Sequence, residues 1–149
     1  MILNKTSFYL NLGEETLLYN KDNITRKGNA FSFGQLSPGE TSKTLIVQLK
    51  VSNSLVIKNI RIGLIDSGGL DFKNNVFGID ILNYLDLNHR PKQFFQGINE
   101  NQSPQSNNNI IVTNQSRKIS NFVYLNVNIP SDYPVWQGTV RYGWFYDKG

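Results

Sequence analysis

The chain has no cysteine and a single histidine among its 149 residues. Disulfide staples and thiolate metal sites are therefore excluded, and a zinc centre built on one imidazole lacks its usual ligands. Charge is also scarce. Charged residues make up 17% of the sequence, against about a quarter in ordinary globular domains. No stretch approaches the ~20 consecutive apolar residues of a membrane-spanning helix. The start, MILNKTSFYLNLGEE, lacks the basic head, long apolar stretch and small-residue cleavage site of a secretory leader, so export by that route alone is not expected. The 15 basic and 11 acidic residues leave a net charge of +4, but they are scattered and form no run of five or more like charges, so nucleic-acid binding is not expected.

What is abundant is asparagine, at 20 positions. Asn favours turns and tolerates left-handed backbone, which suits a fold rich in loops. An AT-rich coding sequence would give the same bias. The length suits one domain, 1–149, with a core large enough to stand without staples.

Period-two alternation dominates the chain, and helical periodicity is nearly absent. Phe8, Leu10 and Leu12 share one face of Ser7–Leu12, and Leu17–Asn20 forms a short apolar patch. Asn20–Asn29 reads as a polar loop. Ala30–Leu36 places Phe31 and Phe33 on one face, and Ser37-Pro38-Gly39 then turns the chain. Pro followed by Gly is the signature of a type II turn, because Gly supplies the positive φ. In Lys43–Val51, Leu45, Val47, Leu49 and Val51 point inward, while Thr44, Ile46, Gln48 and Lys50 point outward. Ile57–Asp66 directs Ile60, Ile62 and Leu64 inward and Arg61 outward. Val76–Leu87 fits a strand pair and also allows a helical turn. Strands resume at Ile110–Thr113, Ile119–Ile129 and Thr139–Tyr146. Seven to nine short strands that each bury one face predict an all-β antiparallel sandwich, with a closed barrel as the competing closure. The polar stretch Asn88–Asn109 is a long loop insertion, and loops of that length in compact domains are commonly functional or disordered.

Catalytic patterns are missing. His89 is the one candidate base, but no nucleophile elbow accompanies it, so it reads as a solvated loop side chain. Asp66 and Asp71 flank Ser-Gly-Gly-Leu and read as turn formers, with calcium ligation as the lesser alternative. Asp80 and Asp86 alternate with apolar residues and read as outward positions. The glycines Gly34, Gly39, Gly68 and Gly69 belong to turns rather than to a phosphate cradle. No enzyme, cofactor or metal is expected.

Aromatic residues crowd the C-terminal quarter. Tyr142, Trp144 and Tyr146 share one strand face and read as core; Arg141 and Phe145 fall on the opposite, outer face. Tyr133 and Trp136, near Asn and Asp side chains, could form a sugar-stacking platform. Phe94 and Phe95, adjacent in a polar loop, would be awkward in water unless they dock on a neighbour or back on their own domain. With His89, Arg90 and Lys92 beside them, they are candidate interface residues, together with Arg141 and Phe145.

Two stretches carry a resemblance. GQLSPGETSKTLIVQLKVSNS followed by IKNIRIGLID resembles the opening strands of Ig-like β-sandwich domains, and YLNVNIPSDYPVWQGTVRYGWFYD resembles their last two strands. Together they cover about half the chain, which departs from the pattern between Val76 and Asn109. Small, cysteine-free, Asn-rich chains of this kind are similar to virion structural proteins of tailed bacteriophages, in capsid decoration or in tails and baseplates. The resemblance implies a non-enzymatic protein assembled in the host cytoplasm and present in the virion. Its partners would be other virion structural proteins in a homo-oligomeric or multi-copy assembly, with no nucleic acid and no membrane. The alternative is a carbohydrate-binding sandwich that uses Tyr133 and Trp136 on a host surface glycan.

Overall fold

The computed structural model describes residues 2–9, 15–19, 26–28, 30–51, 57–66, 70, 75–95, 110–113, 119–133 and 137–148. Within them lie ten strands: β1 Ile2–Tyr9, β2 Glu15–Tyr19, β3 Arg26–Gly28, β4 Ala30–Leu36, β5 Leu45–Lys50, β6 Ile57–Asp66, β7 Phe77–Leu82, β8 Ile110–Thr113, β9 Phe122–Val127 and β10 Gln137–Lys148. No helix among the described residues is long and apolar enough to cross a membrane. The strands form two five-stranded sheets, one ordered β4-β1-β10-β6-β8 and the other β3-β2-β5-β9-β7. The all-β sandwich expected from the alternation is the observed architecture. Pairing is antiparallel throughout except between β1 and β10, which run parallel from Leu3↔Gln137 to Tyr9↔Gly143.

The core lies between the sheets because each long strand offers one apolar row to it. Leu45, Val47 and Leu49 of β5 join Val123, Leu125 and Val127 of β9, facing Ile60, Ile62 and Leu64 of β6 and Val140, Tyr142 and Trp144 of β10. Trp144 Nε1 donates to Thr16 Oγ1 at 3.0 Å, a bond between β10 of one sheet and β2 of the other. A buried indole N–H without an acceptor would cost roughly 1–3 kcal/mol, and fully buried Thr16 removes that cost.

Local irregularities sit where the residue types permit them. Ser37–Glu40 forms the expected turn: Glu40 N donates to Ser37 O at 3.0 Å, and Gly39 holds φ +85°. Gly39 N then donates to Ile129 O at 2.8 Å, which ties the turn to the end of β9. Asn59 adopts φ +53°, at the point where the β6–β10 register shifts between Phe145 and Asp147; Asn is the side-chain-bearing residue best suited to that backbone. Two serines complete the β5–β9 ladder beyond its ends. Val127 N donates to Ser42 Oγ, and Leu49 N to Ser120 Oγ, so each hydroxyl takes the place of a strand carbonyl.

Four expectations need correction or completion. Asn20–Asn29 is not all loop, since Arg26–Gly28 pairs with β2. Val76–Leu87 resolves into strand β7 followed by bends and turns, without a helix. The middle of the outward row of β5 is covered, with Ile46 3% and Gln48 4% exposed, while Lys50 at its end is exposed. The described strands number ten, because the short β3 adds an edge strand to the second sheet beside β2. The side chains of Phe8 and Phe31, and all of Leu10, Leu12, Gly68, Gly69, Asp71, Trp136 and residues 96–109, lie outside the described residues.

Candidate functional site

The outer face of the β2-β5-β9-β7 sheet is where the chain departs from a plain sandwich. Inward rows of β7 and β9 are apolar, so period two sends Gly78 and Asp80, and Tyr124 and Asn126, to the far side. Asp80 and Tyr124 are direct cross-strand partners there. Both are buried, at 7% and 0% exposure, because the chain after β7 doubles back over them.

The returning segment pairs with the edge strand. Ile79 N donates to Gln93 O and Phe95 N donates to Phe77 O, both at 2.9 Å, with a bridge between Gly78 and Phe94. An open β7 edge would present unpaired backbone groups, and this segment covers it. Phe95 then enters the core, wholly buried, with its ring 5.9 Å from that of Tyr142 in the opposite sheet. Burying a phenyl ring to this extent stabilises by about 1.5–3 kcal/mol.

Asp80 fastens the segment from below. Its Oδ2 accepts from His89 Nε2 at 2.6 Å and from Lys92 N at 3.1 Å, and its Oδ1 accepts from Gln93 N at 3.2 Å. Backbone amides already donate to both Asp80 oxygens, which leaves His89 Nε2 as the donor in this pair. The His89 ring stands edge-on to Tyr124, with centroids 4.8 Å apart. The Tyr124 hydroxyl in turn accepts from Asp86 N at 2.7 Å and donates to Tyr84 O at 3.0 Å. Burial raises its pKa above the usual phenol value, which keeps the donated proton in place. Asp86 closes the intervening turn: its Oδ1 accepts from Asn88 N and its carbonyl from His89 N. Three side chains, Asp80, His89 and Tyr124, thus fix the backbone from Tyr84 to Gln93.

That scaffold holds other side chains outward. Tyr84 is 58% and Leu85 37% exposed, and Arg90 and Lys92 are exposed. Beside the turn, Leu18 and Tyr19 of β2, Thr41–Ile46 leading into β5, and Leu87–Arg90 enclose a groove of about 670 Å³. Among the described residues that line it, Lys43 and Arg90 carry charge and there is no carboxylate.

These positions revise the sequence expectations. His89 is not solvated, because Asp80 and Tyr124 pack on it. Asp80 lies on the outward face as expected, but that face is covered, so it is buried. Phe95 is fully enclosed by its own domain and is withdrawn from the candidate interface; Phe94 is half-buried beside it. Arg90 and Lys92 remain outward. Arg141 is exposed and Phe145 half-buried on the outer face of the other sheet, so the structure does not unite them with the His89 segment. On that second face Arg61 lies 3.3 Å from Asp147, and Asn59 Nδ2 donates to Asp147 at 2.8 Å. Tyr133 is half-buried and packs against the core, and its expected companion Trp136 lies outside the described residues. Sequence reading missed Tyr84, Leu85, Lys43 and Tyr124. The signal for Tyr124 was its place opposite Asp80 in a sheet face that alternation alone assigns to solvent. Among the described residues no group of three or more His, Asp or Glu side chains could hold a metal ion.

Comparison with models of known protein families finds no match, and comparison with curated proteins finds none.

Proposed function

We propose that this chain is a non-enzymatic assembly protein, a β-sandwich that works by attaching to other proteins through the segment Tyr84–Lys92. The observation that carries the reading is the division of labour in that segment. The chemistry-bearing groups in and beneath it are consumed internally: both oxygens of Asp80 in β7 are engaged, His89 is bonded to Asp80, and the hydroxyl of Tyr124 in β9 is bonded on both sides. Its outward groups include Tyr84 and Arg90, of the types enriched among residues that anchor protein contacts, with Leu85 and Lys92 exposed beside them. A backbone held in advance loses less entropy on docking than a free loop, so these side chains meet a partner at low ordering cost.

The resemblance to structural proteins of tailed-phage virions supplies the setting. A capsid decoration or tail component needs a stable domain, a presented contact surface and no catalytic centre. The test is incorporation. In particles assembled with the paired variant Tyr84→Ser, Leu85→Ser, mass spectrometry of purified virions is expected to show strong depletion of this chain, while the isolated variant keeps the wild-type melting temperature. Wild-type chain absent from purified particles would sink the virion setting. Undiminished incorporation of the folded variant would sink the role of this segment.

A further inference from the structure

The groove beside the Leu87–Arg90 turn has chemistry of its own. Its lining divides into an apolar part, with the half-buried Leu18, Leu87 and ring of Tyr19, and a polar part, with the hydroxyl-bearing Thr41 and Thr44. Lys43 belongs to the stretch entering β5 and Arg90 to the turn, so cations come to the groove from two separate segments. Lys43 and Arg90 are both exposed, and neither has a described salt bridge. The turn carrying Arg90 is held through His89 and Asp80, so this wall of the groove is fixed by contacts within the chain. Tyr19 is itself positioned, since its hydroxyl donates to Gln48 Oε1 and its ring packs edge-on against Phe122 at 5.3 Å.

We propose that this groove receives an acidic peptide segment of a partner protein, with Lys43 and Arg90 pairing with its carboxylates and the half-buried Tyr19 and Leu87 receiving an apolar side chain. Charge complementarity selects the occupant: two cations with no carboxylate among the described lining residues favour an anion, and the apolar residues favour a ligand with side chains over a bare inorganic ion. An extended peptide meets both demands, because its alternate side chains face opposite ways. The inference rests on the assembly reading above and names the chemistry of what is bound.

The experiment measures fluorescence anisotropy of a labelled decapeptide that alternates Glu with Leu and Thr. Controls are its Gln counterpart, a single-stranded DNA decamer and inorganic phosphate as competitor. The wild-type protein is expected to bind the Glu peptide saturably and about tenfold tighter than the Gln peptide, with affinity falling as salt is raised. Amide shifts on binding are expected at Thr44–Ile46 and Leu87–Arg90. The pair Lys43→Glu, Arg90→Glu, confirmed as folded by its melting curve, is expected to lose that preference. Equal binding of Glu and Gln peptides, tighter binding of DNA, full displacement by phosphate at low millimolar concentration, or shifts mapping elsewhere would each overturn the assignment. Retained peptide preference in the charge-reversed pair would do the same. Failure here leaves the Tyr84 and Leu85 incorporation test untouched, and loss of incorporation by that variant leaves peptide binding unaltered, so the two readings fail separately.

Discussion

Replacing Asp80 with alanine tests whether one carboxylate fastens the edge of the sandwich. The substitution removes three accepted hydrogen bonds, from His89 Nε2, Lys92 N and Gln93 N. Bonds to a charged acceptor contribute about 1.5–3 kcal/mol each when lost singly. Lys92 and Gln93 are exposed residues, so water can replace part of what their amides lose. The expected net cost is about 2–4 kcal/mol, a large share of the roughly 5–15 kcal/mol that holds a domain of this kind together. Asp80→Asn keeps the shape but turns one acceptor into a donor, and should cost about 1–2 kcal/mol. His89→Ala removes a single bond and one ring contact, and a double-mutant cycle with Asp80→Ala should return a coupling of about 1–2 kcal/mol. Urea denaturation gives the stabilities, and amide exchange locates the effect. Protection should fall most at Ile79 N and Phe95 N, whose partners lie across the β7 edge, and least at the β5–β9 ladder. An Asp80→Ala variant within 0.5 kcal/mol of wild type, with Phe95 N still protected, would refute the reasoning.

Gly78→Ala should destabilise by about 1–3 kcal/mol in thermal melts, an overpacking cost. A Cβ there would lie 2.0 Å from Asn126 Oδ1 and 3.1 Å from Pro91 Cβ, and Asn126, 4% exposed, has little room to move; adding Asn126→Ala should recover part of the loss. Asp147 should titrate below an ordinary aspartate, because Asn59 donates to it and Arg61 lies beside it. A depressed folded-state pKa gives stability that is present above the usual Asp range and lost as pH falls through the folded value. Asn59→Gly, which keeps the φ +53° backbone accessible, should raise the Asp147 midpoint toward the ordinary value in an NMR titration, and an unmoved midpoint would remove Asn59 as the cause.

Much of the architecture is written in local alternation. Leu45, Val47, Leu49 and Val51 announce an inward row, and Pro38-Gly39 announces the turn before it, because both depend on residues within a few positions. The clasp is not local in this sense. Asp80 reads as a solvent-facing position, and its phase in the strand is right; what alternation cannot register is that a later polar segment returns to cover the same face. His89 and Phe95 look like loop residues for the same reason, since burial depends on where the loop goes. Two signs of the return were present: adjacent phenylalanines that water would disfavour, and a histidine with Pro91 two residues on. Arg90 and Lys92 were legible as outward cations, whereas Lys43 gains its role only by standing across from Arg90.

The parallel pairing of β1 with β10 has a consequence for how the chain is made. In the β4-β1-β10-β6-β8 sheet, β10 lies between β1 and β6, so the pairs β4–β1 and β6–β8 share no strand until Gln137–Lys148 arrives. The other sheet draws on nothing later than Val127. During vectorial synthesis the β3-β2-β5-β9-β7 sheet can form while its apolar row still waits for a complete cover. Seating β10 between β1 and β6 is therefore the step that unites the two halves of the first sheet, a non-local step of the kind that folds slowly and leaves a growing chain open to chaperones.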